Sequence, residues 1–258
     1  MTETKKHSAS LVDVLTDPNG PVLDDDFLAL CGERNRRFVE QVRTEDATAR
    51  DAETARQYRK EHPRIGVLAI QGNFAAHAAA LTQAGADPVE VRNPDELDQL
   101  DGLILPGGES TTVLKFLERP NPAGRNFFDA LTTFAHTKPT FGTCAGAILL
   151  ARDVRNPAQR SLGVLDAVVE RNAYGRQIDS TILVAPCSLP GEPLEMVFIR
   201  APRILETGPG VEILARRDDF PVLVRQGKLM AATFHPELSS DRRVHRLFVE
   251  MAMSERGT

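Results

Sequence analysis

From Arg64 onward the chain alternates short apolar runs, closed by glycine or a polar break, with stretches of helical spacing. No other feature limits the fold as much. Runs such as RIGVLAIQG and DGLILPGG are continuously apolar rather than alternating, the pattern of strands buried on both faces. Parallel strands need long crossovers, and NFAAHAAALTQAGA, STTVLKFLE and NFFDALTTFAH supply helices for them. DPVEVRN reads as a strand, PDELDQL as a short helix, KPTFGTC as a strand and AGAILLARD as the helix behind it. Right-handed crossovers then give a three-layer, doubly wound α/β fold, a mainly parallel sheet flanked by helices. Past residue 160, GVLDAVVERN, STILVA, EMVFIRAP, VEILARR, FPVLVRQG and KLMAATFHP read as shorter, partly antiparallel strands. DRRVHRLFVEMAMSE closes the chain as a helix.

The first 62 residues do not share this pattern. Residues 33–62, ERNRRFVEQVRTEDATARDAETARQYRKEH, carry opposite charges at helical spacing but few apolar anchors, namely Phe38, Val39 and Val42. Such a segment buries too little surface to offset its ordering entropy, so residues 1–62 are expected to be a charged, partly helical or disordered extension. Residues 63–258 then form the functional domain. A formal net charge of −5 argues against a nucleic-acid partner. No run reaches the roughly eighteen apolar residues of a membrane span, and the N-terminal lysines have no apolar run behind them. The expected location is cytoplasmic. Three cysteines without a CxxC pair argue against a disulfide framework or a structural zinc site. No metal or other cofactor is expected.

In open α/β sheets, reactive groups gather at the carboxyl ends of strands. Gly142-Thr143-Cys144-Ala145-Gly146 is a G-x-C-x-G form of the nucleophile elbow, a sharp strand-to-helix turn that needs small neighbours. It places Cys144 at a helix N-terminus, where the dipole favours the thiolate, with the Ala145 N–H directed toward a developing oxyanion. On the pentapeptide alone, a small buried cysteine in a tight turn is an equally good reading. TFHPE puts His235 at the end of the run LMAAT, with Glu237 two residues on to hold the imidazole tautomer. The other five histidines have no such setting. LILPGGEST offers backbone N–H groups after a strand, suited to an oxyanion or to a plain anion-binding turn, and it lacks the pattern of a nucleotide P-loop.

Together with VVERNAYGRQIDS and VFIRAP, these segments resemble the class I, triad glutamine amidotransferases. More narrowly they resemble the glutaminase subunits of two-component pyridoxal 5′-phosphate synthases, over Arg64 to Met253. The resemblance implies a flavodoxin-like fold, L-glutamine as substrate, and a synthase subunit as partner in a large hetero-oligomer. It also implies that Cys144 is the nucleophile, His235 the general base and acid, and Glu237 its orienting carboxylate. Gly108, Glu109, Ser110, Arg171, Ile199 and Arg200 match glutamine-binding positions, and Gly108 shares the oxyanion role with Ala145. An arginine fork suits an α-carboxylate.

Two departures stand out. The family pattern Q-G-x-x-x-E-H is QGNFAAH here, with Ala76 in place of glutamate while Gln71 and His77 remain; the 62-residue extension lies outside the pattern altogether. Cys31 and Cys187 have no base partner in sequence and read as structural or incidental. Two other functions compete: a non-catalytic docking subunit of the same complex, and a stand-alone γ-glutamyl hydrolase.

Overall fold

The computed structural model describes residues 52–120, 124–171, 173 and 180–257. Most of the extension, including Cys31, lies outside these residues. Its last part, Ala52–Glu61, is a helix (α1), and the Arg256 guanidinium donates to the Lys60 carbonyl at 3.5 Å.

The central sheet has seven strands in the order β10-β11-β12-β4-β3-β1-β2. β1 (Arg64–Leu68), β2 (Asp87–Val91), β3 (Gly102–Leu105), β4 (Thr140–Thr143) and β12 (Leu229–Ala232) are mutually parallel. β11 (Phe220–Gln226) runs against β12, and β10 (Glu212–Arg217) against β11. β3, β4 and β12 are buried at every position, as strands covered on both faces are.

Each face of the sheet has its own core. On one side α3 (Ser110–Leu117), α4 (Phe127–Thr137) and α5 (Ala145–Leu150) bury Leu117, Phe128, Leu131 and Leu149. On the other, α2 (Phe74–Gln83) and α6 (Arg243–Ser254) bury Leu81, Val244 and Phe248 against Val67, Phe141 and Met230. Helices on both faces of a mainly parallel sheet make the three-layer α/β architecture. β5 (Ala151–Arg155), β6 (Leu165–Glu170) and β9 (Arg203–Thr207) form a second sheet, and β7 (Thr181–Ala185) pairs with β8 (Leu194–Phe198) as a ribbon.

Two elements differ from the sequence reading. The helix after Cys144 stops at Leu150, and Ala151–Arg155 continues as strand β5 rather than as helix. A register shift in β5 between Ala151 and Asp153 leaves Ala151 and Val154 as the buried pair. Their spacing of three imitates a helical stripe. β9 was not expected, because Ile204 is its one buried residue and no alternation marks it.

Candidate active site

Cys144 sits between β4 and α5 with φ 47° and ψ −104°, a conformation rare for a residue with a Cβ. Its neighbours explain how so tight a turn is possible. A Cβ on Gly142 would lie 2.4 Å from the Gly146 backbone, and one on Gly146 would lie 1.9 Å from the Leu105 carbonyl oxygen. Both positions therefore require glycine. The Cys144 N–H donates to the Ala232 carbonyl at 2.8 Å, tying the turn to the end of β12. The next residue, Ala145, opens α5, and its N–H has no acceptor within its own helix.

β12 leads directly to His235. The His235 N–H is held by the Val197 carbonyl of β8 at 2.8 Å, and its Nδ1 lies 2.8 Å from Glu237 Oε1. Proline at 236 starts a 3-10 turn that folds Glu237 back under the ring. The imidazole is the neighbour of Cys144: a single point, the Cβ position of Gly107, lies 2.5 Å from His235 Cε1 and 3.3 Å from Cys144 Cβ. Burial pushes the His235 pKa down, but the charges of Glu237 and Cys144 outweigh it and hold the ring well above its ordinary value. Burial pushes Glu237 up, yet the facing His77 and His235 leave its carboxyl at about 2.

The P-G-G loop closes over this pair. A Cβ on Gly107 would lie 2.5 Å from His235 Cε1 and 3.3 Å from Cys144 Cβ, so the bare backbone runs against both side chains. Gly108 follows at φ 144°, against Gln71, and a Cβ on Gly72 would strike the Gly107 carbonyl oxygen at 1.7 Å. The Q-G turn after β1 thus braces the P-G-G turn after β3.

The remaining expected site residues fall at three places. Glu109 caps α3, accepting from the Thr111 and Thr112 backbone, and lies 3.3 Å from Arg171 Nη2 at the end of β6. Burial opposes its charge, but hydrogen bonds from Thr111 and Thr112 bring its pKa to about 2. Ser110 is buried and donates to Gln159 Oε1 at 2.9 Å. Ile199 and Arg200 follow β8, with Ile199 buried and Arg200 exposed at φ 44°.

Four neighbours went unread in the sequence. Gln159 has no local pattern that marks it. His77, Thr143 and His245 lie directly behind Glu237, all fully buried. His77 lies within QGNFAAH, but nothing in the spacing links it to Glu237. His245 occupies a helical face with Val244, Phe248 and Ala252 and reads as a core residue. Ala76 is 4% exposed, an interior position of α2. Cys187 stands apart from the site, in an isolated bridge with Ala215.

A cysteine on a strand-to-helix elbow, with a carboxylate-backed histidine at the neighbouring strand end, defines the amidotransferase type of α/β domain. The chain belongs to the SNO glutamine amidotransferase family, whose sequence profile matches residues 67–254. It is 61% identical over 188 residues to the pyridoxal 5′-phosphate synthase subunit PdxT of Koribacter versatilis, covering 73% of this chain and 95% of that protein. The PdxT subunit of Thermotoga neapolitana is 49% identical over 190 residues, covering 73% and 98%. A crystal structure of a glutamine amidotransferase aligns with TM-score 0.65 and 46% identity over 73% of this chain and 98% of its own. PurLQS from Thermotoga maritima shares the fold at TM-score 0.51 and 17% identity over 75% and 97%.

Proposed function

We propose that this chain is the glutaminase subunit of a two-component, cytoplasmic pyridoxal 5′-phosphate synthase. It hydrolyses L-glutamine and passes ammonia to a separate synthase subunit within a large hetero-oligomer. The observation that carries this reading is the strained elbow at Cys144, set beside a His235 that is itself backed by Glu237 at 2.8 Å.

In this mechanism Cys144 Sγ, its proton held by His235, attacks the side-chain amide carbon of glutamine. The N–H groups of Ala145 and Gly108 receive the oxyanion, where charge develops most. His235 then gives its proton to the leaving nitrogen, releasing ammonia and leaving a γ-glutamyl thioester on Cys144. Water, deprotonated by His235, attacks the thioester, and glutamate departs as the thiol is restored. Glu237 holds the imidazole with its free nitrogen toward sulfur and stabilises its cationic form. Arg171 pairs with the substrate α-carboxylate, and Glu109, held as a carboxylate, suits the α-ammonium. Ser110, Ile199 and Arg200 complete the glutamine-binding wall.

The test is ammonia release from glutamine by the full chain, alone and titrated with its synthase subunit. Turnover that rises to a plateau with the synthase is expected. No turnover at saturation would make the chain a docking subunit, and equal turnover of other γ-glutamyl compounds without the synthase would make it a stand-alone hydrolase. Residues 1–62 lie outside this chemistry, so a chain beginning at Pro63 is expected to keep the same plateau. An insoluble or inactive product would contradict that.

A further inference from the structure

Behind Glu237 lies a set of buried polar groups that the glutaminase chemistry leaves unused. Glu237 turns Oε1 to His235, while its Oε2 lies 3.2 Å from His77 Nε2. That nitrogen also lies 3.0 Å from Thr143 Oγ1, and the ring's other nitrogen, Nδ1, is 3.1 Å from His245 Nε2. Both histidines are fully buried. Arg242, half-buried at the start of α6, adds a positive charge facing the same cluster. Burial and that neighbouring charge disfavour an imidazolium at His77 and His245, against the pull of Glu237.

A neutral imidazole donates from one nitrogen and accepts at the other. His245 Nδ1 is buried without a hydrogen-bond partner. A buried N–H left unpaired is the costlier and rarer orphan, so this nitrogen is the bare one. Nε2 of His245 then carries the hydrogen and donates to His77 Nδ1. His77 is left with its own hydrogen on Nε2, donated to Thr143 Oγ1. Glu237 Oε2 accepts no hydrogen bond; His77 Nε2 lies 3.2 Å from it, and the N–H dipole of the ring faces the carboxylate.

We infer that His77 and His245 are positioning residues: hydrogen bonds from His245 to His77 and from His77 to Thr143 lock the His77 ring against Glu237 Oε2, and its fixed N–H dipole holds the carboxylate so that it presents Oε1 to His235. The effect reaches the reacting atoms only through Glu237. Sequence places these partners on α2, β4 and α6, and only the packed fold brings them together.

The inference rests on the glutaminase reading and is tested in the full chain with its synthase subunit supplied. His77→Leu removes the donor while keeping an apolar body; His77→Gln restores an N–H close to the Nε2 position. His77→Leu should lower kcat by about ten- to a hundredfold, the range for outer partners that orient a functional side chain. KM for glutamine should hold, and His77→Gln should recover most of the loss. A folded His77→Leu chain with unchanged kcat, or a folded His77→Gln chain no better than His77→Leu, overturns it. The second measurement needs no variant. Ring nitrogen NMR of the unsubstituted chain near neutral pH should show both His77 and His245 as neutral Nε2–H tautomers. An Nδ1–H tautomer or a cation at either ring overturns the inference even if His77→Leu fails to fold. Absence of turnover by the unsubstituted chain overturns the glutaminase reading instead, and the tautomers then decide this one.

Discussion

At Cys144 the backbone holds φ 47°, a conformation that costs a residue with a Cβ on the order of 1–3 kcal/mol. The surrounding turn imposes this cost, since Gly142 and Gly146 leave no other path for the chain. The strain can be measured without any enzymology. Within an ordinary helix or strand, glycine is less stable than alanine by about 0.5–1 kcal/mol, because it loses more freedom on folding. At position 144 the order should reverse, with Cys144→Gly more stable than Cys144→Ala in urea unfolding. If the alanine variant is the more stable, the elbow is not strained as the backbone angles imply. Before the resemblance enters, the pentapeptide leaves a buried thiol and a nucleophile equally open. What the fold adds is a neighbour 91 residues away in the chain, the imidazole of His235.

Among the elements, the loop between β3 and α3 is the one whose side-chain-free backbone the site depends on. At Gly107 a Cβ would meet the end of a side chain, His235 Cε1, at 2.5 Å; at Gly146 it would meet backbone, the Leu105 carbonyl oxygen, at 1.9 Å. The two alanine variants should therefore fail differently. Gly107→Ala should fold and bind glutamine but displace the imidazole, with kcat falling by about a hundredfold, the cost of a misplacement near 1 Å. Gly146→Ala should lose stability first, seen as a lowered unfolding midpoint. Equal activity of Gly107→Ala and the unsubstituted chain would mean the loop does not seat the base. The same contrast explains what the sequence makes legible. Continuous apolar runs ending in glycine mark β1 and β3 and the turns after them, because burial and positive φ leave local signatures. β5 is hidden because its register shift gives a strand the spacing of a helix. His77 and His245 are hidden because a fully buried histidine looks like core until its partner across the fold is known.

On the scale of the whole molecule, four buried titratable groups tie stability to pH with opposing signs. His77 and His245 have folded pKa values below the ordinary histidine value, burial being the main cause. Their contribution is complete above about 6.5 and is lost as pH falls below it. His235 is raised, so its contribution is present below about 6.5 and lost as pH rises through its folded value. Glu237, at about 2, contributes above the usual carboxylate range and loses that contribution as pH falls toward 2. As pH falls from about 7 toward 5, unfolding should then take up protons at His77 and His245, whose folded pKa values are lowered, with none taken up at the raised His235. The urea midpoint should fall over that window, and replacing His245 with Phe should shallow the slope by one proton. A midpoint flat across the window would contradict the neutral, buried state of these rings. Composition alone points to none of this, for the six histidines look alike until the fold sorts them.

Covalent trapping tests the central claim most directly, because it asks which sulfur carries the glutamyl group. The full chain, with its synthase subunit, is treated with a glutamine-mimicking electrophile, and the adduct is located by peptide mass mapping. One adduct at Cys144 is predicted, with Cys31 and Cys187 unmodified and ammonia release lost in step with labelling, because the thiol at the elbow has His235 beside it. An adduct on Cys31 or Cys187, or continued ammonia release from a fully labelled Cys144, would contradict the account.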